Sequence, residues 1–313
     1  MKALNPARHM ARHTLLAAAV VVTAGCDAAN DAIDAINDID NDADVFYYVS
    51  LGTSLSVGVQ PNSSGTLLPT DDGYPDQLFD LIRADFEAVA PNRELRLVKL
   101  GCPGETLDDM INGGSCPYVA GSQLDAAVDF LGDNAEKVLL LTIDIGGNDF
   151  RNADCITDAV DLDCVNEISG QIGLDLAAVL ATLSGAADPA TTIIGMNYYN
   201  PYLSSWLEGS DGQVLATSSA QAAVVFNDAL SSTYATAGTP MADVYAAFES
   251  DNFVTMVPSS LPPPNGTLPV NVANICTFTY MCDAPPVGPD IHATIAGYSL
   301  IADTLVGELP AIP

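Results

Sequence analysis

Val45-Phe46-Tyr47-Tyr48-Val49-Ser50-Leu51-Gly52-Thr53-Ser54-Leu55-Ser56 reads as a near-continuous apolar strand, Phe46–Leu51, that stops at a glycine and turns into a run of hydroxyl side chains. A short apolar run bounded by a turn is the pattern of a strand covered on both faces. Three more such runs follow it, Leu95–Leu100, Val138–Ile145 and Thr191–Asn197, with a weaker one at Met241–Val244. Helical patterns lie between and after them, at Tyr74–Ala88, Gln123–Leu131, Glu167–Leu183, Ala216–Tyr234 and Ala293–Val306. Strands alternating with helices predict an α/β fold of three layers, α/β/α, around a parallel sheet of about five strands. In doubly wound sheets a ligand sits beyond the carboxyl ends of the strands. Gly52–Ser56, Gly101–Thr106 and Gly146–Asp149 fall at such ends.

Ahead of this domain, Lys2, Arg8 and Arg12 precede an apolar run, Leu15–Ala24, closed by Gly25-Cys26. That is an export signal over residues 1–25, and the run is half of the roughly 20 residues a membrane-spanning helix needs. No later stretch reads as apolar enough to span, so the mature chain is expected to be soluble apart from any anchor. Thr23-Ala24-Gly25-Cys26 resembles a bacterial lipobox, with Thr where Leu or Val is usual, and implies a lipid on Cys26; the alternative is plain cleavage with Cys26 left as a free thiol. Residues 26–44 carry seven aspartates in a low-complexity run and read as a solvated acidic linker. The remaining residues, 45–313, are enough for one domain. The Pro-rich stretch Pro258–Pro269 reads as a loop overhanging the site.

Without its leader the chain has six basic residues against 40 acidic ones, a formal charge of −34. Such a surface repels phosphate backbones, which excludes nucleic acid as a partner. Apart from Cys26, the cysteines fall as neighbours along the chain: Cys102 with Cys116, Cys155 with Cys164, Cys276 with Cys282. Other pairings are possible, but the short separations favour these, each bridge contributing about 2–3 kcal/mol. There is no CxxC, and one histidine in the mature chain leaves almost no zinc-type ligand set, so no metal site is expected.

His9 and His13 lie in the leader, so any mechanism that needs an imidazole must use His292. A lone histidine is more often structural than catalytic, but this one opens the last helix with Asp290 two residues before it, the arrangement that holds an imidazole by its second nitrogen. Ser54, where a strand ends, presents a hydroxyl at the sheet edge; a Gly-Thr-Ser turn is more often only a helix cap, and a hydroxyl is a weak nucleophile unless a base takes its proton. Asn148, after Gly146-Gly147, can aim an amide N–H at a developing oxyanion, or be an ordinary turn residue. Gly104, in Gly101-Cys102-Pro103-Gly104-Glu105-Thr106, lets the backbone approach a ligand, or serves only a tight turn.

Together these four features resemble, in order, the blocks of the SGNH (GDSL) hydrolase superfamily, from Val45 to the C-terminus. Ser54 matches the block I nucleophile, with Thr53 where the family usually has Asp. Gly104 matches block II, Asn148 block III and His292 block V. Tyr47–Leu51 and Gly297-Tyr298 are similar to its exported bacterial branch with three disulfides. The resemblance implies a flavodoxin-like sheet and a carboxylic ester hydrolase of the lipase or esterase kind. It also implies a Ser54 acyl-enzyme with His292 as general base, an oxyanion hole of Ser54, Gly104 and Asn148, and no metal or organic cofactor. The family places its acid three residues before the histidine, which here is Pro289. Asp290 is expected to orient His292; the alternative is a main-chain carbonyl, such as that of Pro289. The substrate is expected to be a small-molecule or lipid ester, with carbohydrate acetylesterase as second reading and a non-catalytic envelope-binding lipoprotein as the alternative from another class. Tyr198, Tyr199, Tyr202 and Trp206 line an acyl groove or pack beneath the Pro-rich loop. The protein is expected to be an exported monomer, secreted or held to the envelope only through Cys26.

Overall fold

In a computed structural model the described residues are 45–310, apart from 91, 260 and 262–265. The leader, Cys26 and the acidic linker lie outside them. Five parallel strands form the sheet in the order β4-β1-β5-β6-β7, where β1 is Val45–Gly52, β4 Glu94–Lys99, β5 Val138–Asp144, β6 Thr192–Met196 and β7 Met241–Ala242. Two short hairpins lie apart from it, β2 (Gln60–Pro61) with β3 (Leu67–Leu68), and β8 (Met256–Pro258) with β9 (Thr267–Pro269). Counted within the main sheet, the order is that of the flavodoxin-like class, whose reversal of chain direction across the sheet falls between β1 and β5.

Alternation along the strands divides the core in two. Val49 and Leu51 of β1, with Leu141 and Ile143 of β5, pack toward α2 (Leu107–Asn112), α3 (Gln123–Asp133), α5 (Leu162–Ala186) and α6 (Ser210–Ala237). Tyr48, Leu140 and Ile194 face the other way, toward α1 (Tyr74–Val89), α8 (Val270–Phe278) and α9 (Ile295–Val306). Two short helices complete the set, α4 (Gly147–Asn152) and α7 (Val244–Ala247).

Several differences from the sequence reading have local causes. Helix α5 starts five residues earlier than its apolar pattern, because the Asp161 carboxylate caps it by accepting from the N–H groups of Asp163 and Cys164, both at 3.1 Å. By length and composition α5 is apolar enough to cross a membrane, which corrects the expectation that no later stretch is. In the fold, Val165, Ile172, Leu176, Val179, Leu180 and Leu183 of α5 are buried in the core. The described ends of the Pro-rich stretch pair as the β8–β9 hairpin rather than forming a plain loop. Helix α8 was not expected, since Val270-Asn271-Val272 shows no helical period of its own.

Candidate active site

The turn after β1 is built on a carboxylate. Gly52 has φ +128°, and a Cβ there would lie 2.1 Å from the Asp144 carbonyl oxygen, so a side chain has no room where β1 ends against β5. Asp144 is fully buried. Its Oδ1 accepts from the Thr53 N–H at 3.0 Å and the Thr53 hydroxyl at 2.5 Å, and its Oδ2 from the Tyr74 hydroxyl at 2.9 Å. Burial pushes its pKa up to about 7, against the pull of the Thr53 and Tyr74 hydrogen bonds.

The other side of the turn is held by an amide. The Gln123 Oε1 accepts from the Gly52 N–H at 2.6 Å, and its Nε2 donates to the Gly52 carbonyl at 3.0 Å and to Glu105 Oε1 at 3.2 Å. Glu105 is buried, and its pKa is pushed up to about 7 by burial and by Asp109, offset in part by the Gln123 hydrogen bond. The Glu105 carbonyl in turn accepts from Asn148 Nδ2 at 2.9 Å. One buried chain of hydrogen bonds therefore joins the serine turn to the asparagine at the start of α4.

Ser54 Oγ lies 2.8 Å from His292 Nε2, and His292 Nδ1 lies 2.8 Å from Asp290 Oδ1. The same Oδ1 accepts from the His292 N–H at 3.0 Å. With Nδ1–H donated to the carboxylate, Nε2 is left as the acceptor facing the serine hydroxyl. Burial pushes the Asp290 carboxyl up, but the hydrogen bonds from His292 and the imidazole's charge outweigh it, and the pKa lies below its ordinary value. The Asp290 side chain, rather than the Pro289 carbonyl, thus occupies the second nitrogen.

The loop carrying these groups is tied down along its length. Tyr280 N–H donates to the His292 carbonyl at 3.1 Å, Asp290 N–H to the Tyr280 carbonyl at 3.1 Å, and Thr294 N–H to the Phe278 carbonyl at 2.9 Å. The segment it pairs with is closed by the Cys276–Cys282 disulfide. Cys102–Cys116 closes the loop that contains Gly104, and Cys155–Cys164 joins the segment after α4 to the first turn of α5.

Ser54, Asn148 and His292 line one cavity of about 250 Å³. Its walls are mainly apolar and include Phe150, Ile156, Tyr199 and Phe226, with Arg151 as the one cationic lining residue. Tyr198 and Tyr202 also line it, whereas Trp206 packs on Phe253 with ring centroids 5.6 Å apart. No described residue of the β8–β9 hairpin lines the cavity, and the tip of the Pro-rich stretch, expected to overhang the site, lies outside the described residues. Gly104 is exposed outside the lining, at φ +84°, with open space where a Cβ would stand. Among the described residues, the N–H groups of Ser54 and Gly104 find no acceptor, and no cluster of three metal-ligating side chains occurs. Asp144, Gln123 and Glu105 escaped the sequence reading. The one available signal was an acid ending an otherwise apolar strand, Val138–Asp144.

No protein-family model matches the sequence, and no curated protein matches it. Solved structures do match. The extracellular lipase from Streptomyces rimosus aligns over 84% of this chain and 100% of its own, with a TM-score of 0.54 and 21% identity. The chain has the SGNH hydrolase fold. Phospholipase A1 from Streptomyces albidoflavus NA297 aligns over 84% and 99% of the two chains at 19% identity and a TM-score of 0.49. A lipase, Lip_vut3, from a goat rumen metagenome aligns over 84% and 97% at 16% identity, also with a TM-score of 0.49.

Proposed function

We propose that the protein is a serine ester hydrolase acting on carboxylic esters through a Ser54 acyl-enzyme. The observation that carries this is the unbroken run from Ser54 Oγ through both nitrogens of His292 to Asp290, with 2.8 Å at each step, opening on an apolar cavity. His292 Nε2 takes the Ser54 proton as Oγ attacks the ester carbonyl carbon, and Asp290 holds the imidazolium that forms. The tetrahedral oxyanion is met by the N–H groups of Ser54 and Gly104, which have no other acceptor among the described residues, and by Asn148. One hydrogen of the Asn148 amide goes to Glu105, leaving its second for the oxyanion. The intermediate collapses, the C–O bond to the alcohol breaks, and the leaving oxygen receives the proton from His292. Water then attacks the acyl carbon and gives a proton to His292; the bond from that carbon to Ser54 Oγ breaks, Oγ takes the proton back from His292, and the carboxylic acid leaves.

The apolar walls beside Ser54 favour an acyl chain over a bare acetyl group on a sugar, so a lipid or aliphatic ester is the substrate class. We further propose that residues 1–25 direct export and that Cys26 and the acidic linker tether domain 45–313 to the envelope; the three disulfides fit an oxidising compartment.

The test is hydrolysis of p-nitrophenyl acetate, butyrate and decanoate by the wild type, Ser54→Ala and His292→Ala, with a serine-reactive phosphonate added. Loss of turnover in both variants, phosphonate attached at Ser54, and faster turnover of the longer esters are expected. A folded wild type that neither turns over nor labels would overturn the reading.

A further inference from the structure

A strand buried on both faces has no need of a carboxylate at its end, and burying one without a cation is costly. Asp144 is fully buried at the end of β5, and no cation pairs with it among the described residues. What it meets instead is the residue before Ser54. One oxygen, Oδ1, takes both donors that Thr53 offers, and the Tyr74 hydroxyl fixes Oδ2. Gly52, seated against the Asp144 carbonyl, leaves the turn no room to move toward β5. The directions of Ser54 N–H and Oγ follow from these neighbours, since Thr53 alone separates the anchored Gly52 from the serine.

We propose that Asp144 is a positioning residue for the reaction. By accepting from both donors of Thr53, its Oδ1 sets the turn at which Ser54 Oγ meets His292 and Ser54 N–H faces the cavity. This rests on the assignment of Ser54 as nucleophile. The chemistry required of Asp144 is that of an acceptor in a fixed place; it touches neither substrate nor the reacting atoms.

Asp144→Asn keeps an acceptor oxygen on the same skeleton, whereas Asp144→Val fills the space and removes it. Displacement of a reacting group by about 1 Å costs on the order of 100-fold in rate. Asp144→Val is therefore expected to lower kcat on p-nitrophenyl butyrate by about 100-fold with KM within about twofold. The rate of phosphonate attachment at Ser54 should fall in parallel, and Asp144→Asn should recover at least about a tenfold part of the loss. A kcat for Asp144→Val within about threefold of wild type, or an equal loss in both variants, overturns the proposal. Should Asp144→Val fail to fold, Thr53→Val, which removes only the side-chain donor, carries the test. A lowered kcat at unchanged KM and unfolding temperature supports the proposal, and an unchanged kcat overturns it. An inactive wild type with unlabelled Ser54 overturns the ester hydrolase reading itself, an outcome distinct from all of these.

Discussion

The Tyr199 hydroxyl donates a 2.7 Å hydrogen bond to the carbonyl of Ile291, the residue immediately before His292. Its ring stacks on Phe248 at a centroid distance of 4.6 Å, so the tie reaches back into the core on the α9 side of the sheet. Tyr199→Phe keeps the ring and loses the bond, a net change of about 1 kcal/mol. The expected outcome is a small fall in unfolding temperature and a fall of a few fold in kcat, read by calorimetry and steady-state turnover. An unchanged kcat would show that the loop needs no tie at Ile291.

Asn148 offers a sharper contrast. Asn148→Ala removes the amide that faces the cavity and leaves the Glu105 carbonyl without its donor. Loss of one oxyanion donor costs about 100-fold to 1,000-fold in kcat. The fall should appear in kcat with KM little changed, because the interaction forms only as charge develops on the substrate oxygen. A comparable rise in KM at constant kcat would place Asn148 in substrate binding instead.

Two buried carboxyls make stability depend on pH. Asp144 and Glu105 are each pushed up to about 7, from ordinary values of 3.8 and 4.5. Between about pH 4 and 7 the folded chain therefore holds protons that the unfolded chain has released, and stability falls as pH rises through that window. The unfolding temperature is expected to be higher at pH 5 than at pH 8, measured in high salt so that repulsion among the acidic side chains is screened. Asp144→Asn should shrink the difference; an unaltered difference would mean that Asp144 does not titrate in this range.

The Cys276–Cys282 bridge spans six positions and braces the segment that pairs with the His292 loop. Replacing both cysteines by serine should cost about 2 kcal/mol of stability. It should also lower kcat by more than the same change at Cys155 and Cys164, whose bridge holds no residue of the Ser54–His292–Asp290 run. Equal losses at the two bridges would remove the special place given to the first.

Legibility in the sequence followed the range of the interaction. Phe46–Leu51 and Val138–Ile145 declared themselves as strands because burial on both faces leaves a near-continuous apolar run. His292 stood out by scarcity, and Asp290 by standing two positions away. The partnership of Thr53 with Asp144 spans 91 positions, and that of Gln123 with Gly52 spans 71. No local pattern carries such distances. Helix α8 was hidden for a related reason: its first turn is held by what it packs against, and Val270, Val272 and Ile275 are buried without the spacing of an amphipathic face.

Ser54 and His292 stand 238 positions apart, with the histidine just ahead of the last helix. A ribosome thus releases the hydroxyl long before the imidazole that would deprotonate it. On the proposed mechanism, a chain cut short anywhere before His292 carries a serine with no base, so unfinished copies cannot cleave esters by this route.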